Sequence, residues 1–466
     1  MLNQMDERTI GGTVRPPMRS SVRRNSRQAI AYQPQSRGTE KAVVWLCMIG
    51  AVIPAAEVNI FVAGLKFTVG RLAVVFLLVP ALIAMTGAGR KLLAADLLVF
   101  AMGAWTMIAA AIVGGEGTLS SAGAESLEFI GGYLAARAFI RGPIAVREFV
   151  KVMKAIMVLM IVMAMAEHAT GTLIIHDIVA RIFHTVPLGA QYRNGFVRAT
   201  ATFDHAILFG AFCAFSAIIF LFAEVNTLKR AIWVGLSGYG CLLSQSSSAV
   251  MALTISLMVY AYDRTMRQYP WRWTLFWGLA MLPVLSLMAL SQRPLHWILS
   301  HMTYDPASGF FRLLIWDLAI EKIQQAPYVG YGFSLFGDPI LDTTVDSVWL
   351  VVSLRFGLPV VVLLILASFA AWHSASHGRS GRPEVAAMER MSTAFTLILA
   401  MFMFVGVTVH YWNFMWIFWG ICIGMRASMR EFLLSEANSV RPLKELPRSP
   451  PRPILPSRER PRTLRA

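Results

Sequence analysis

Residues 204–223 read DHAILFGAFCAFSAIIFLFA. An acid and a histidine stand at the head, and the eighteen residues after them carry no charge. Twenty residues wound as a helix rise roughly 30 Å, about the thickness of a bilayer's hydrocarbon core. A surface helix of a soluble protein would show a polar face, and this one has none. The stretch therefore reads as a transmembrane helix.

The rest of the chain repeats the pattern. Of 466 residues, 56% are hydrophobic and only 15% charged, with a mean hydropathy of +0.58. A soluble domain needs more charge than this on its surface. Comparable apolar runs lie near 42–58, 70–88, 92–113, 122–140, 148–167, 229–244, 247–262, 273–291, 346–371, 390–409 and 411–427. They predict an all-α polytopic membrane protein of about twelve transmembrane helices, with ten to twelve as the range because several runs are short or Gly-rich. The four cysteines fall inside apolar runs without metal or disulfide spacing and read as small core residues.

Loop charges set the expected topology. Basic pairs or triplets follow every second span: Arg90 and Lys91, Arg141 and Arg147, Lys229 and Arg230, then Arg264 to Arg272, then Arg379 to Arg390. The positive-inside rule places those loops and both termini in the cytoplasm. Residues 1–41 hold eight Lys/Arg against three acids, and residues 426–466 hold ten against four, so the tails carry most of the +16 net charge. Segments 1–41 and 428–466 are expected to be disordered, basic cytoplasmic tails that favour anionic membrane lipid. They lack the fold and aromatic interleaving of a nucleic-acid site. No cleavable signal peptide is evident ahead of the first apolar run. The transmembrane domain, 42–427, then presents two long periplasmic loops, about 168–203 and 292–345. The first is net basic, which topology alone does not ask for.

Four places could carry chemistry. Arg198 and His205 are seven apart, so a continuing helix would set them on one face at the mouth of the 204–223 span. The alternative is a snorkelling arginine and a capping histidine. In the second long loop, GFFRLLIWDLAIEKIQQAPYVGYGF (309–333) predicts an amphipathic helix with Phe311, Ile315, Leu318, Ile320 and Ile323 on its apolar face. Pro327 ends it, and Gly330 and Gly332 turn the chain. Arg312 and Trp316 are one turn apart, so the ring can support the guanidinium. Asp346 opens a span and is either an N-cap or a general base. The run LLSQSSSAV brings Ser244 and Ser246–Ser248 to a hairpin turn, and VHYWN adds His410, whose default reading is an interface belt. Nucleotide-binding loops, CxxC and HExxH are absent, so no metal or cofactor is expected and an ATP-driven pump is disfavoured.

These pieces, in this order, resemble the O-antigen ligase/polymerase superfamily, including its exopolysaccharide polymerases. The resemblance rests on Arg198 followed by a histidine, the serine turn 244–248, the R-x-x-x-W…P-x-x-G-x-G block from Arg312 to Gly332, and D-S-x-W-L from Asp346. It implies a GT-C-like glycosyltransferase of the bacterial inner membrane, metal-independent and inverting. The implied donor is a polyprenyl-diphosphate-linked oligosaccharide, with Arg198 and Arg312 on its diphosphate. Asp346 would be the catalytic base, His205 a second catalytic candidate, and Ser247, Trp316 and His410 possible glycan contacts. The family's serine turn usually contains Ser-Arg, whereas Ser247 or Ser248 stands there. Ligases carry a histidine before this span, and Asp346 takes that place, which favours a polymerase of exopolysaccharide, capsule or O-antigen repeat units. The alternatives are a ligase acting on a lipid or protein acceptor, or a flippase. A flippase and a chain-length regulator are the implied partners.

Overall fold

A computed structural model describes residues 37–58, 60–62, 65–87, 90–115, 117–291, 306–372 and 382–444. The predicted N-terminal tail to residue 36, the end of the C-terminal tail from 445, and Arg379 lie outside the described residues. The architecture is all-α with two small hairpins. Helices α1 (Arg37–Met48), α2 (Val69–Met85), α3 (Ala94–Val113), α4 (Thr118–Phe139) and α5 (Gly142–Thr170) form the first half. Short α6 (Ile174–Phe183) precedes α7 (Ala206–Ala223), α8 (Thr227–Leu243), α9 (Ser247–Thr265) and α10 (Arg272–Leu290). Then come α11 (Pro306–Gln325), α12 (Val348–Phe356), α13 (Leu358–Trp372), α14 (Pro383–Val405) and α15 (Phe414–Lys444).

Among the described residues, five helices are long and apolar enough to cross a bilayer: α3, α5, α7, α10 and α14. α2 and α13 are shorter apolar helices. Large apolar side chains stay exposed along several of these, among them Phe76 and Ile83 of α2, Val162 of α5, and Leu282 and Leu285 of α10. Contiguous exposed apolar surface of this kind belongs against lipid. The chain is a membrane protein.

The helix that reads most plainly as a lipid span is the one most enclosed by protein. Every residue of α7 except Ile207 and Ala223 is buried, and α5, α8, α9 and α14 surround it. Its uniform hydrophobicity reflects a core position, where all faces meet apolar neighbours.

The closest helix pair is α4 with α15. Gly420 and Gly424 of α15 lie one turn apart at the crossing. A Cβ on Gly420 would stand 2.2 Å from the Phe129 carbonyl, and one on Gly424 would stand 2.3 Å from that of Tyr133. Small residues let two backbones approach where lipid provides no hydrophobic drive to pack them. The α15 helix continues to Lys444, so helical backbone enters the stretch expected to be tail.

Where α4 ends, a buried charge cluster ties four segments together. Arg137 is fully buried; its Nε donates to Asp96 Oδ1 at 3.1 Å, its Nη1 pairs with Glu431, and its Nη2 donates to the Lys91 carbonyl at 2.8 Å. Arg90 Nη1 joins the same Glu431 carboxylate at 3.1 Å. Arg141 Nη2 lies 3.9 Å from the same carboxylate, so Arg90 and Arg141, which follow the second and fourth predicted spans, gather at one end of the bundle.

The predicted span 346–371 is two helices, broken at Gly357 (φ +80). The Pro327–Gly332 turn fills the break. Tyr331 and Gly332 donate their N–H groups to the Leu354 and Arg355 carbonyls, and Leu358 donates to the Pro327 carbonyl. Trp105 Nε1 lies 3.3 Å from both the Tyr328 and Phe356 carbonyls. A helix interrupted in a membrane protein must have its freed backbone groups satisfied in this way.

The face of α11 matches the expected one in part, with Leu318 packed against the apolar cluster it forms with α12. Ile315, Ala319 and Ile323 are buried and pack on Leu350 and Leu354 of α12, while Phe311 and Ile320 are exposed. The spacing of four positions chooses the stripe, and the small Ala319 at its middle lets α11 sit close to α12. Residues 292–305 of this loop lie outside the described residues.

Candidate functional site

At the end of the bundle where α4 begins, residues 184–205 cross the helix tops. Tyr192–Arg193 and Phe196–Val197 form an antiparallel hairpin around Asn194 and Gly195, both at positive φ. Asn-Gly is the pair that a two-residue hairpin turn favours. The hairpin presents Arg193 and delivers the chain to Arg198, whose N–H donates to the Gln191 carbonyl at 2.8 Å.

No continuing helix joins Arg198 to His205. The segment between is irregular, with Ala201 at φ +54, and α7 starts only at Ala206. Buried Glu167 enforces this by accepting the N–H groups of Thr200 and Ala201 at 2.8 and 3.0 Å. Asp204 accepts from Asn413 Nδ2 at 2.6 Å, which ties this segment to the turn before α15.

The structure nevertheless brings the predicted residues together. Arg198 is 8% exposed, and its hydrogen bonds go to neutral acceptors, the Ser244 carbonyl at 3.3 Å and Gln191 Oε1 at 3.0 Å. Burial, then the neighbouring guanidinium groups of Arg193 and Arg312, push its pKa down to about 10. It stays charged at neutral pH, beside two other arginines. Such a group of guanidinium forks is matched to phosphate oxygens. Arg193 Nη1 donates to the Gln245 carbonyl at 2.8 Å, so a third arginine stands on the serine turn.

His205 has both Arg198 and Asp346 acting on it. Burial first, then Arg198, push its imidazole down to about 4, with the Asp346 carboxylate opposing. Its Nδ1 accepts from Ile207 N–H at 3.1 Å, capping α7, and its Nε2 lies 3.1 Å from Gln191 Nε2. Gln191 therefore bridges Arg198 and His205, a residue that sequence reasoning missed because nothing local marks it. Asp346 is half-buried, and its Oδ1 accepts from Thr344 Oγ1 at 3.1 Å. The cap position of α12 falls to Ser347, whose Oγ donates to the Gly406 carbonyl. The Asp346 carboxylate is thus not used to cap the helix.

The three expected glycan contacts separate. Ser247 opens α9 on the serine turn, next to Ser248, which shares a hydrogen bond with Thr408. Trp316 packs with the small apolar cluster under α11. His410 and Trp412 turn inward rather than forming a belt: Trp412 has His410 at 5.3 Å and His205 at 6.3 Å between ring centroids, and Tyr411 is 2% exposed. Burial, reinforced by Arg355, pushes His410 down to about 3.

Residues 232–365 match the O-antigen ligase family model. That segment contains Arg312, Trp316, the Pro327–Gly332 turn and Asp346, and the match bears out the resemblance to the O-antigen ligase/polymerase superfamily. No curated protein matches the chain.

Proposed function

We propose that the protein is an inverting, metal-independent glycosyltransferase that polymerises polyprenyl-diphosphate-linked oligosaccharide repeat units at the periplasmic face of a bacterial inner membrane. The family match supports a membrane glycan ligase or polymerase acting on a lipid-linked glycan. The observation that carries the finer reading is electrostatic proximity: Arg193 and Arg312 act on Arg198, and Arg198 and Asp346 act on His205, while Gln191 lies against both Arg198 and His205.

In this reading Arg198 and Arg312 hold the donor diphosphate and stabilise the charge that builds on it. Asp346 takes the proton of the acceptor hydroxyl as its oxygen attacks the anomeric carbon from the face opposite the diphosphate. The bond from that carbon to the diphosphate oxygen breaks, and its electron pair leaves with the polyprenyl diphosphate. His205, kept neutral by burial and Arg198, stands against Gln191, which holds Arg198. Asp346 where ligases carry histidine favours the polymerase over transfer to a lipid or protein acceptor. Ten to twelve spans, both termini in the cytoplasm, and a flippase and chain-length regulator as partners complete the proposal.

The test is reconstitution of the full chain in liposomes with purified lipid-linked repeat units and EDTA. A ladder of lipid-linked polymer is expected. Transfer only to an added lipid or protein acceptor would assign the ligase instead.

A further inference from the structure

The loop after the Pro327–Gly332 turn encloses a cavity of about 290 Å³ over the helix break. Phe333, Phe336, Thr343, Thr344, Arg355 and His410 contribute to its walls. None of the three clustered arginines at 193, 198 and 312 is among its lining residues. Two contacts tie it to the candidate catalytic groups. Thr344, on the wall, donates to Asp346, and Trp412 stands between His410 and His205.

The lining has a definite chemistry. Arg355 pairs with Glu125 and lies 4.6 Å over the Phe333 ring, so its charge is matched within the protein. Asp342, also on the wall, accepts Phe336 N–H at 2.5 Å. With one compensated cation and one further carboxylate, the cavity offers an anion nothing. It does offer aromatic faces, two threonine hydroxyls and the edge of the His410 imidazole. The volume lies at the lower edge of ligand pockets, which run about 300–1,000 Å³, and suits one sugar ring rather than several.

We infer that this cavity is the acceptor subsite and receives a single uncharged pyranose, the end sugar of the acceptor glycan, with its hydroxyls on His410 and the threonines and its apolar face against the phenylalanines. The inference rests on the glycosyltransferase reading, which supplies the donor on the arginine side.

The experiment uses the full chain in nanodiscs. Binding of the methyl glycosides of glucose, galactose, mannose and glucuronate is followed by saturation-transfer NMR, and binding of inorganic pyrophosphate by calorimetry. At least one neutral glycoside should bind. His410→Ala removes the imidazole from the wall, and Ser334→Trp fills the cavity from an exposed wall position. Each should weaken that binding tenfold or more and leave pyrophosphate binding unchanged, whereas Arg198→Ala should do the reverse. No neutral glycoside binding, binding indifferent to both variants, or tighter binding of the glucuronate would overturn the inference. Glycoside binding that behaves as expected, with pyrophosphate binding absent or indifferent to Arg198→Ala, would keep the sugar pocket and remove the diphosphate reading instead.

Discussion

The backbone N–H of Tyr331 meets the carbonyl of Leu354 at 2.7 Å. That bond joins the turn after α11 to the last turn of α12, so the loop bearing Arg312 and the helix opened by Asp346 are held as one piece. The joint tolerates no side chain at its glycines. A Cβ on Gly357 would stand 2.0 Å from the Tyr328 carbonyl, and one on Gly330 would stand 2.4 Å from that of Leu354, with φ positive at both. Gly357→Ala is expected to lower the thermal midpoint of the detergent-solubilised protein by several degrees and to reduce its amount in the membrane. The exposed Gly337, also at positive φ but with open space around it, serves as the control, and its Ala variant should show the smaller loss.

Arg312→Ala should abolish polymer while the protein still reaches the membrane. Loss of a group that stabilises developing charge lowers turnover on the order of 10²–10³-fold. Arg312→Lys keeps the charge but not the two-pronged fork, so partial activity is expected. Glycan chain length on gels, alongside immunodetection of the protein, reads both. Normal chain length with Arg312→Ala would remove the diphosphate assignment.

Asp346→Asn preserves shape and removes the base. Its polymerisation rate should fall at least a hundredfold, with repeat-unit binding retained. Thr344→Val deletes one hydrogen bond to that carboxylate and should cost less than tenfold. Single-turnover assays on radiolabelled lipid-linked repeat units separate the two effects. Equal losses in both variants would point to folding instead of proton transfer.

Acid should destabilise the fold through His205 and His410. Burial and Arg198 hold His205 down to about 4, while an unfolded histidine takes its proton near 6.5. Folded and unfolded states are both neutral here above pH 6.5, so no stability is lost there. As pH falls from 6.5 toward 4 the unfolded state binds the proton first, and stability declines. His410, held to about 3, adds to the same window and extends it lower. The thermal midpoint should therefore drop between pH 7 and 5, and the double variant His205→Gln, His410→Gln should flatten that drop. A neutral His205 also predicts that activity between pH 6 and 8 shows no step near 6.5.

Arg137→Met should be strongly destabilising, by about 3–5 kcal/mol, because Asp96 and Glu431 would be left buried without their shared partner. The exposed Lys151–Glu148 pair is the contrast. Breaking it with Lys151→Ala should change stability by well under about 1 kcal/mol. Thermal unfolding of both variants in one detergent gives the comparison.

Much of this arrangement was legible in the sequence because hydrophobicity and charge are written locally. Apolar runs placed most helices to within a few residues, and arginines on the wrong side for topology marked Arg198. Arg312 and Asp346 stand out as candidates from the residues alone, but their roles come only from the family motif. What escaped depends on contacts between distant segments. Gln191 bridges Arg198 and His205 without any local pattern. Arg137, inside the predicted span 122–140, and Glu431, in the stretch expected to be tail, are nearly three hundred residues apart, and no local pattern pairs them. The Asn194-Gly195 pair was a usable hairpin signal that went unread, and Gly357 ahead of Leu358-Pro359 marked a helix break inside an apolar run. On α11 the expected face holds at Ile315, Leu318 and Ile323 and fails at Phe311 and Ile320, because both sides of the helix carry large apolar residues and only α12 selects between them.

The position of Glu431 sets how far the basic C-terminal tail can be cut back. It lies inside α15, beyond the last fully apolar turn, and is the carboxylate that both Arg90 and Arg137 share. A stop after Arg430 would delete the tail and, with it, the acceptor for two enclosed guanidinium groups, so a dead protein would say nothing about lipid or regulator binding by the tail. A stop after Glu436, which also keeps the partner of Arg382, removes the tail while leaving the bundle whole. Only the second truncation asks what the tail is for.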